Sequence, residues 1–290
     1  MDLSIILLNY RQKGLLKQCL KGILAAQPRL DYELIVVDND SGDGSLAMVN
    51  DFLEKSAATT LPPWASVQPL AVPPLVTIAA ESNKGFGAGH NLGLSRARGK
   101  YILIVNPDIA VEAGALEAMF NYLERHAAIG ILGPKLLNPD GTIQYSCRRF
   151  PNSLIPLYRR TVFGRLPFAK KAIDRYLMAD FDHQAIAAID WLFGACLMIR
   201  KSALEKVGNF DERFFMYFED LDLCRRFWAA GYQVVFYPEV RLVHYHQRFS
   251  AERGGIWGVF SRGGRIHLIS GIKYFLKYLG QELPARGLDN

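Results

Sequence analysis

At 290 residues, 50% hydrophobic and 21% charged, the chain has material for one large domain, alone or with an appendage, and is too apolar to be disordered. Its four cysteines, Cys19, Cys147, Cys196 and Cys224, include no Cys-x-x-Cys pair, which argues against a zinc site or a disulfide framework and for a reducing, cytoplasmic compartment. The net charge of +6 gathers at the end, where eight Lys and Arg face three Asp and Glu from Arg241 to Asn290; this points to a phosphate-bearing partner, and no nucleic-acid-binding module is present to make that partner a nucleic acid.

The N-terminus enters the apolar run LSIILL with no basic region before it and no cleavage site after it, so it reads as a first strand and not as a secretion signal. A helix from about Lys13 to Ala26 follows, then the strand ELIVVD, a helix near Ser45 to Lys55, the strand LVTIAA, a helix near Ala88 to Ala97 and the strand YILIVN. This alternation predicts a parallel α/β sheet. The stretch AATTLPPWASVQPLAVPPL, with five prolines and little periodicity, reads as a surface excursion between the second helix and the third strand.

Open parallel sheets bind ligands at the carboxyl ends of their strands. Polar residues collect there: Asn9 and Tyr10 after the first strand, Asp38 and Asn39 after the second, Lys84 and Asn91 in ESNKGFGAGHNLG after the third, and Asn106 and Asp108 in NPD after the fourth. Taken singly, each has an ordinary explanation, such as an Asx turn at Asp38. Gly87-x-Gly89 imitates a dinucleotide fingerprint, but it follows the third strand instead of the first, and the next glycine, Gly93, is one residue too far away, which disfavours an oxidoreductase.

From Arg148 to His183 the chain is basic and aromatic without a motif and reads as a loop. Next, FFMYFEDLDLCRRFWAAGY sets Glu219, Asp220 and Asp222 at the start of an apolar-periodic run, with Leu221, Cys224 and Trp228 on one stripe and Gly231 as a stop. Acids in a first turn are favoured by the helix dipole. The neighbouring Phe214, Phe215, Tyr217 and Phe218 would also desolvate a carboxylate, which is how a side chain becomes a useful base. His244 and His246 lie on VRLVHYHQ. In the tail, Leu268, Ile269, Ile272, Phe275, Leu276 and Leu279 form one helical face, with His267, Ser270, Lys273 and Lys277 away from it. That face suits either an anionic membrane surface or packing on protein, a second copy of the chain included.

Read as an ordered set, LLNYRQ, LIVVDNDSGDGS, NKGFGAGHNLG, LIVNPDI, WLFGACLMIRKSALEKVGNFDERFFMYFEDLDLCRR and VRLVHYHQRFS resemble the family 2 glycosyltransferases, in particular a bacterial rhamnosyltransferase-like branch, over about residues 3 to 250. The resemblance implies a GT-A fold at 1–250, with a Rossmann-like, mostly parallel sheet, followed by a basic amphipathic tail at 251–290. It implies an inverting transfer of rhamnose or a hexose from a dTDP-, UDP- or GDP-linked donor to a saccharide acceptor, plausibly lipid-linked at the inner face of the plasma membrane in surface-polysaccharide synthesis. By the same resemblance Asn9, Tyr10, Asp38 and Asn39 hold the nucleoside, and Lys84 and Asn91 flank base and diphosphate. Asn106 and Asp108 stand where the family has D-x-D, leaving Asp108 to bind Mg2+ or Mn2+, with His244 as a further metal or diphosphate contact. Asp220 becomes the general base, Glu219 an acceptor or loop residue, Trp191 a sugar-facing ring, and 148–183 the acceptor side. A nucleotide-sugar-binding protein without turnover, or a nucleotidyltransferase, is the alternative; the first turn, NYRQKG, lacks the glycine-rich loop a nucleotidyltransferase shows there.

Overall fold

The first strands are near-continuous apolar runs because both of their faces are covered. In a computed structural model, which describes residues 1–58, 72–245 and 261–285, β1 (Leu3–Asn9), β2 (Tyr32–Asp38), β3 (Leu75–Ala79) and β4 (Tyr101–Val105) pair in parallel in the order β3-β2-β1-β4. Most of the proline-rich excursion, and His246, lie outside the described residues. The strands are joined through α1 (Lys13–Ala26), α2 (Ser45–Ala58) and α3 (Phe86–Leu94). α3 starts ahead of its expected span because Gly85, at φ 106°, turns the chain into it. Successive residues of β1 serve opposite faces: Leu3, Ile5 and Leu7 pack with Leu16 and Leu20 of α1, whereas Ile6 and Leu8 pack on the other side with Leu94 of α3.

Beyond β4 the sheet becomes mixed. After β5 (Ile109–Ala110), α4 (Ala115–Arg125) and β6 (Ile129–Leu137), the chain forms the short strands β7 (Ile143–Gln144), β8 (Cys147–Arg148), β9 (Ala187–Ala188) and β10 (Trp191–Leu192). β11 (Cys196–Arg200) then inserts antiparallel between β4 and β6, and β12 (Gln233–His244) lies parallel to β6 with β5 antiparallel at its edge. β8 and β10 form a small separate pair. α7 (Lys201–Val207) and α8 (Glu219–Ala229) cover the face that α3 covers.

One segment departs from the sequence expectation. The stretch 148–183 is helical for much of its length, with α5 (Ile155–Arg160), a 3-10 turn at Val162–Arg165 and α6 (Pro167–Leu177); Pro156 and Pro167 stand at helix starts, where a missing N–H costs nothing. The tail forms α9 (Arg262–Lys277) with the expected periodicity, and most of its apolar face is turned away from the rest of the chain. Ser270, Gly271 and Tyr274 are buried, while Leu268, Ile269, Ile272, Leu276 and Leu279 face outward. The polar side wins because it has specific partners. Lys277 reaches both Asp211 and Asp222, Lys273 Nζ donates to Arg213 O at 2.7 Å, Ser270 Oγ donates to Met216 O at 2.8 Å, and Gly271 leaves room for the Phe218 ring. Among the described residues no helix is long and apolar enough to cross a membrane.

At the far end of the sheet, Glu33 ties β1, β2 and the turn before β4 together. Its buried carboxylate accepts from Ser4 Oγ at 2.7 Å, from the Arg98 amide at 2.8 Å and from both Nε and Nη2 of Arg98. Burial alone would raise its pKa, but the bonds from Arg98 and Ser4 outweigh burial and hold it below the ordinary value. A depressed folded-state pKa adds stability above the unfolded-state value, and that stability is lost as pH falls through the folded one. Glu33→Gln should therefore lower stability by about 1–3 kcal/mol near pH 7, with the gap to the parent closing below about pH 4. Urea titration of both proteins across that range measures it; a gap that persists in acid would show that the charge contributes nothing.

Candidate active site

The carboxyl ends of β1 and β2 are joined by one amide. Asn9, fully buried, donates through Nδ2 to Asp38 Oδ1 at 2.9 Å, Ser41 Oγ at 3.0 Å and Ser45 Oγ at 2.9 Å, and accepts from the Gln12 amide. Asp38 Oδ2 takes the Ser41 N–H, so the aspartate is oriented from both sides at a half-buried position. Asn39 donates to Asn83 Oδ1 and Gly85 O, binding this end to the loop that enters α3. Tyr10 is half-exposed beside Asn9, with the Arg11 guanidinium over its ring, and Lys84 is exposed in the α3 loop. Asn91 lies deeper along α3, where its amide holds the Phe210 backbone through both N–H and C=O and also reaches Glu212. Asn9, Asp38 and Asn39 thus form one connected group, while Asn91 braces the neighbouring loop.

The Asn106–Asp108 turn follows β4. Asn106 is half-buried, and its amide donates to Ala195 O. Asp108 is buried, and its Oδ1 faces His244 Nε2 at 3.2 Å, while His244 Nδ1 lies 2.6 Å from Gln144 Oε1. An amide oxygen can only accept, so Nδ1 donates to Gln144. A carboxylate and an imidazole nitrogen this close are both groups that ligate a divalent cation, and the Gln144 bond is the kind of outer contact that fixes a ligating imidazole. No group of three or more His, Cys, Asp and Glu able to hold a metal occurs among the described residues, so a cation here would need oxygens from a ligand and water.

The third part lies at the start of α8. Tyr217 and Phe218 both adopt left-handed backbone, at φ 67° and 71°, and swing the chain so that Glu219 and Asp220 enter the first turn. Asp220 Oδ2 accepts the Gly194 N–H at 3.0 Å and Oδ1 accepts the Leu221 N–H at 2.8 Å. A Cβ on Gly194 would meet Asp220 Cβ at 3.5 Å, an ordinary contact, and the Phe86 ring at 3.3 Å, so the two sides close tightly on this glycine. Burial pushes the Asp220 pKa up, with the Gly194 and Leu221 amides pulling against it. Glu219 is pushed up further by burial and by the Asp220 charge, and its Oε2 has no hydrogen-bond partner. Of the pair, Asp220 ionises first and Glu219 keeps its proton. Asp222, the first-turn residue the sequence offers, is fully buried there and bound by Lys277, Arg226 and the Tyr278 hydroxyl.

The α3 loop and the α8 loop touch directly. Phe86 N–H donates to Phe215 O at 2.8 Å, and a Cβ on Gly85 would fall 2.0 Å from that oxygen. The aromatic wall is mostly core: Phe214 and Phe218 are buried, and Trp191 is buried with its indole N–H on Arg149 O. Sequence reasoning assigned no site role to Gly194, Gln144 or Ser45, and gave Ser41 only a place in the turn after β2. Gly194 lies inside a quoted motif, but nothing local marks its N–H as the partner of a carboxylate 26 residues away.

Comparison with known proteins agrees with this architecture. The N-acetylglucosaminyl-diphospho-decaprenol L-rhamnosyltransferase of Mycobacterium tuberculosis is 28% identical over 262 residues, covering 87% of this chain and 78% of that protein. Rhamnosyltransferase WbbL of Escherichia coli is 28% identical over 67% of this chain and 70% of its own length. Among solved structures, mannosyltransferase PcManGT from Pyrobaculum calidifontis, in complex with GDP-Man and Mn2+, superposes with a TM-score of 0.59 at 18% identity over 98% of this chain and 66% of that one. GalNAc-T7 with UDP, GalNAc and Mn2+ gives 0.61 at 13% identity over 86% of this chain and 44% of its own, so the chain spans about two thirds or less of these solved proteins, which share its fold. The sequence profile of Glycosyl transferase family 2 matches residues 4–208, and the chain belongs to that family.

Proposed function

We propose that the chain transfers rhamnose or a hexose, with inversion, from a nucleotide-diphosphate donor to a saccharide acceptor of bacterial surface-polysaccharide synthesis. The observation that carries this reading is Asp220: a half-buried carboxylate held by two backbone N–H groups, between the loop that begins α3 and the glycine at 194. Asp38, with Asn9 and Asn39 behind it, offers a fixed acceptor for a base or ribose. Asp108 and His244 suit Mg2+ or Mn2+, which would offset negative charge on the leaving diphosphate. Asp220 takes the acceptor hydroxyl proton as that oxygen bonds to the anomeric carbon and the bond to the diphosphate oxygen breaks. Glu219, keeping its proton, can donate to the acceptor or to the loop. The M. tuberculosis and E. coli relatives, by their names rhamnosyltransferases, support rhamnose, and the M. tuberculosis name supports a lipid-linked acceptor.

The outward face of α9 supports a peripheral contact with an anionic bilayer. Leu268, Ile269, Ile272, Leu276 and Leu279 are exposed there, and Arg262, Arg265 and Lys273 are exposed on the same helix. Basic residues near an anionic surface contribute about 1 kcal/mol each.

Three measurements test this reading. Asp220→Asn should reduce transfer by roughly 10²- to 10⁴-fold with donor affinity unchanged, and in the parent kcat should rise with pH through a value above the ~3.9 of an exposed aspartate. An unchanged rate in the variant removes Asp220 from the chemistry. EDTA should stop transfer, and Asp108→Ala should weaken Mn2+-dependent donor binding more than Asn106→Ala, because a carboxylate is the harder ligand; full activity with metal verifiably absent rejects the assignment. The double variant Leu268→Glu with Leu276→Glu should lose co-sedimentation with anionic vesicles at low salt while keeping its thermal midpoint. If the parent does not pellet and instead forms a concentration-dependent dimer that the variant lacks, the face belongs to a second copy of the chain.

A further inference from the structure

The segment 148–183 carries eight Lys and Arg against three Asp, and two of its arginines are placed unlike the rest. Arg148, on β8 opposite Trp191 of β10, is 7% exposed. Its guanidinium lies 4.8 Å from the Phe193 ring centre, Nη1 donates to Cys147 O at 2.9 Å, and Nε has no hydrogen-bond partner. Arg159, exposed on α5, lies over the Tyr176 ring at 5.6 Å, and Tyr176 is itself buried 6.5 Å from Trp191. Among the described residues neither arginine has an ion-pair partner. The nearby Asp190 is turned to Arg149 at 3.8 Å and to the Phe150 amide. Burial pulls the Arg148 pKa down to about 10, so it remains a cation at neutral pH. A nearly buried cation with no counter-ion among the described residues is costly to maintain, and an anionic ligand would offset that cost.

The position of this pair restricts what the anion is. Three consecutive residues carry the whole line of the site: Phe193 lies under Arg148, the Gly194 N–H holds Asp220, and Ala195 O accepts the Asn106 amide beside the Asp108 turn. Phe193 and Ala195 can be no more than about 7 Å apart along the backbone. The arginine therefore stands beside Asp220, in the segment 148–183 that the sequence assigns to the acceptor side. Arg159 lies over the Tyr176 ring, and Tyr176 is 6.5 Å from Trp191, which pairs with Arg148 across β8 and β10, so both arginines border one aromatic surface.

The geometry points to Arg148 and Arg159 as an anion subsite on the acceptor side, binding the phosphate or diphosphate on the anomeric oxygen of the acceptor sugar while Asp220 takes the proton from another hydroxyl of that sugar. Guanidinium forks match phosphate oxygens, and Tyr176 adds a hydroxyl. This rests on the reading of Asp220 as base, and it deepens that reading by making the acceptor a glycosyl phosphate ester and not a neutral glycan end.

The test uses the full-length protein and two soluble probes, a short-chain alkyl diphosphate of N-acetylglucosamine and the matching phosphate-free alkyl glycoside, with binding measured by calorimetry in the presence of Mn2+ and nucleoside diphosphate to fill the donor side. The parent should bind the diphosphate probe at least about tenfold more tightly than the glycoside, the gain expected from charge-assisted hydrogen bonds. Arg148→Met and Arg159→Met should each remove most of that preference, Arg159→Lys should keep part of it, and affinity for the glycoside should not change. Inorganic pyrophosphate, which contains only the shared anion, should bind the parent and be lost in Arg159→Met, an exposed position whose variant will fold even if Arg148→Met does not. Equal affinity of the parent for both probes, or a preference that survives both methionine variants, overturns the proposal. So does a parallel loss of nucleotide-sugar affinity, which would give the arginines to the donor. Failure of every nucleotide sugar to raise the parent's thermal midpoint would instead count against the transferase reading itself.

Discussion

Two consecutive non-glycine residues in left-handed backbone, Tyr217 and Phe218, are the constraint on which the site depends. Such a conformation costs about 1–2 kcal/mol per residue, so it survives only where the surroundings over-determine it. Here they do. The Phe86 amide holds Phe215 O from the α3 side, and α9 holds Arg213 O and Met216 O through Lys273 and Ser270. Asp222, one turn into α8, anchors Lys277, Arg226 and the Tyr278 hydroxyl. The kink then delivers Asp220 to the Gly194 amide. A tail that follows the family match in sequence therefore braces the turn that carries Asp220, and its apolar side stays outward because its polar side is engaged.

The site divides its work along one line. At one end the buried Asn9 amide gathers β1, β2 and the start of α2 around Asp38, so this end is set by the sheet and does not depend on flexible loops. In the middle Asp220 and Glu219 share a buried space in which the two cannot both ionise easily, and the backbone N–H groups on Asp220 decide which one does. Beside them stand two arginines without acidic partners among the described residues, Arg148 and Arg159, which we have proposed as the acceptor's anion subsite. The order of Phe193, Gly194 and Ala195 keeps these parts in register, because each residue contacts a different one.

Much of this was legible from the chain. Hydrophobic runs of β length alternating with helical periods are local signals, and the rule that ligands collect at strand ends needs only the order of elements, so the parallel half of the sheet and the polar group at Asn9, Asp38 and Asn39 followed directly. The mixed half did not. β11 inserts antiparallel between β4 and β6, strands from distant parts of the sequence, and nothing in CLMIR encodes which edge it joins. The stretch 148–183 read as a loop because it is basic and aromatic without a motif, and the helix starts at Pro156 and Pro167 carry no signal that this reading used.

The sequence by itself determined the family, the α/β class, and the residue types that chemistry needs, because these are carried by composition, period and the order of short motifs. Only the tertiary structure decided which groups are buried, paired or facing one another: that Asp222 is an anchor while Asp220 is available, that Asn91 braces a loop, that the tail helix presents its leucines to solvent, and that Arg148 lies buried without an acid. Burial and pairing are properties of contacts between residues far apart in the chain, and the free energy that separates the two faces of a helix, or the two carboxylates of one turn, comes from those contacts.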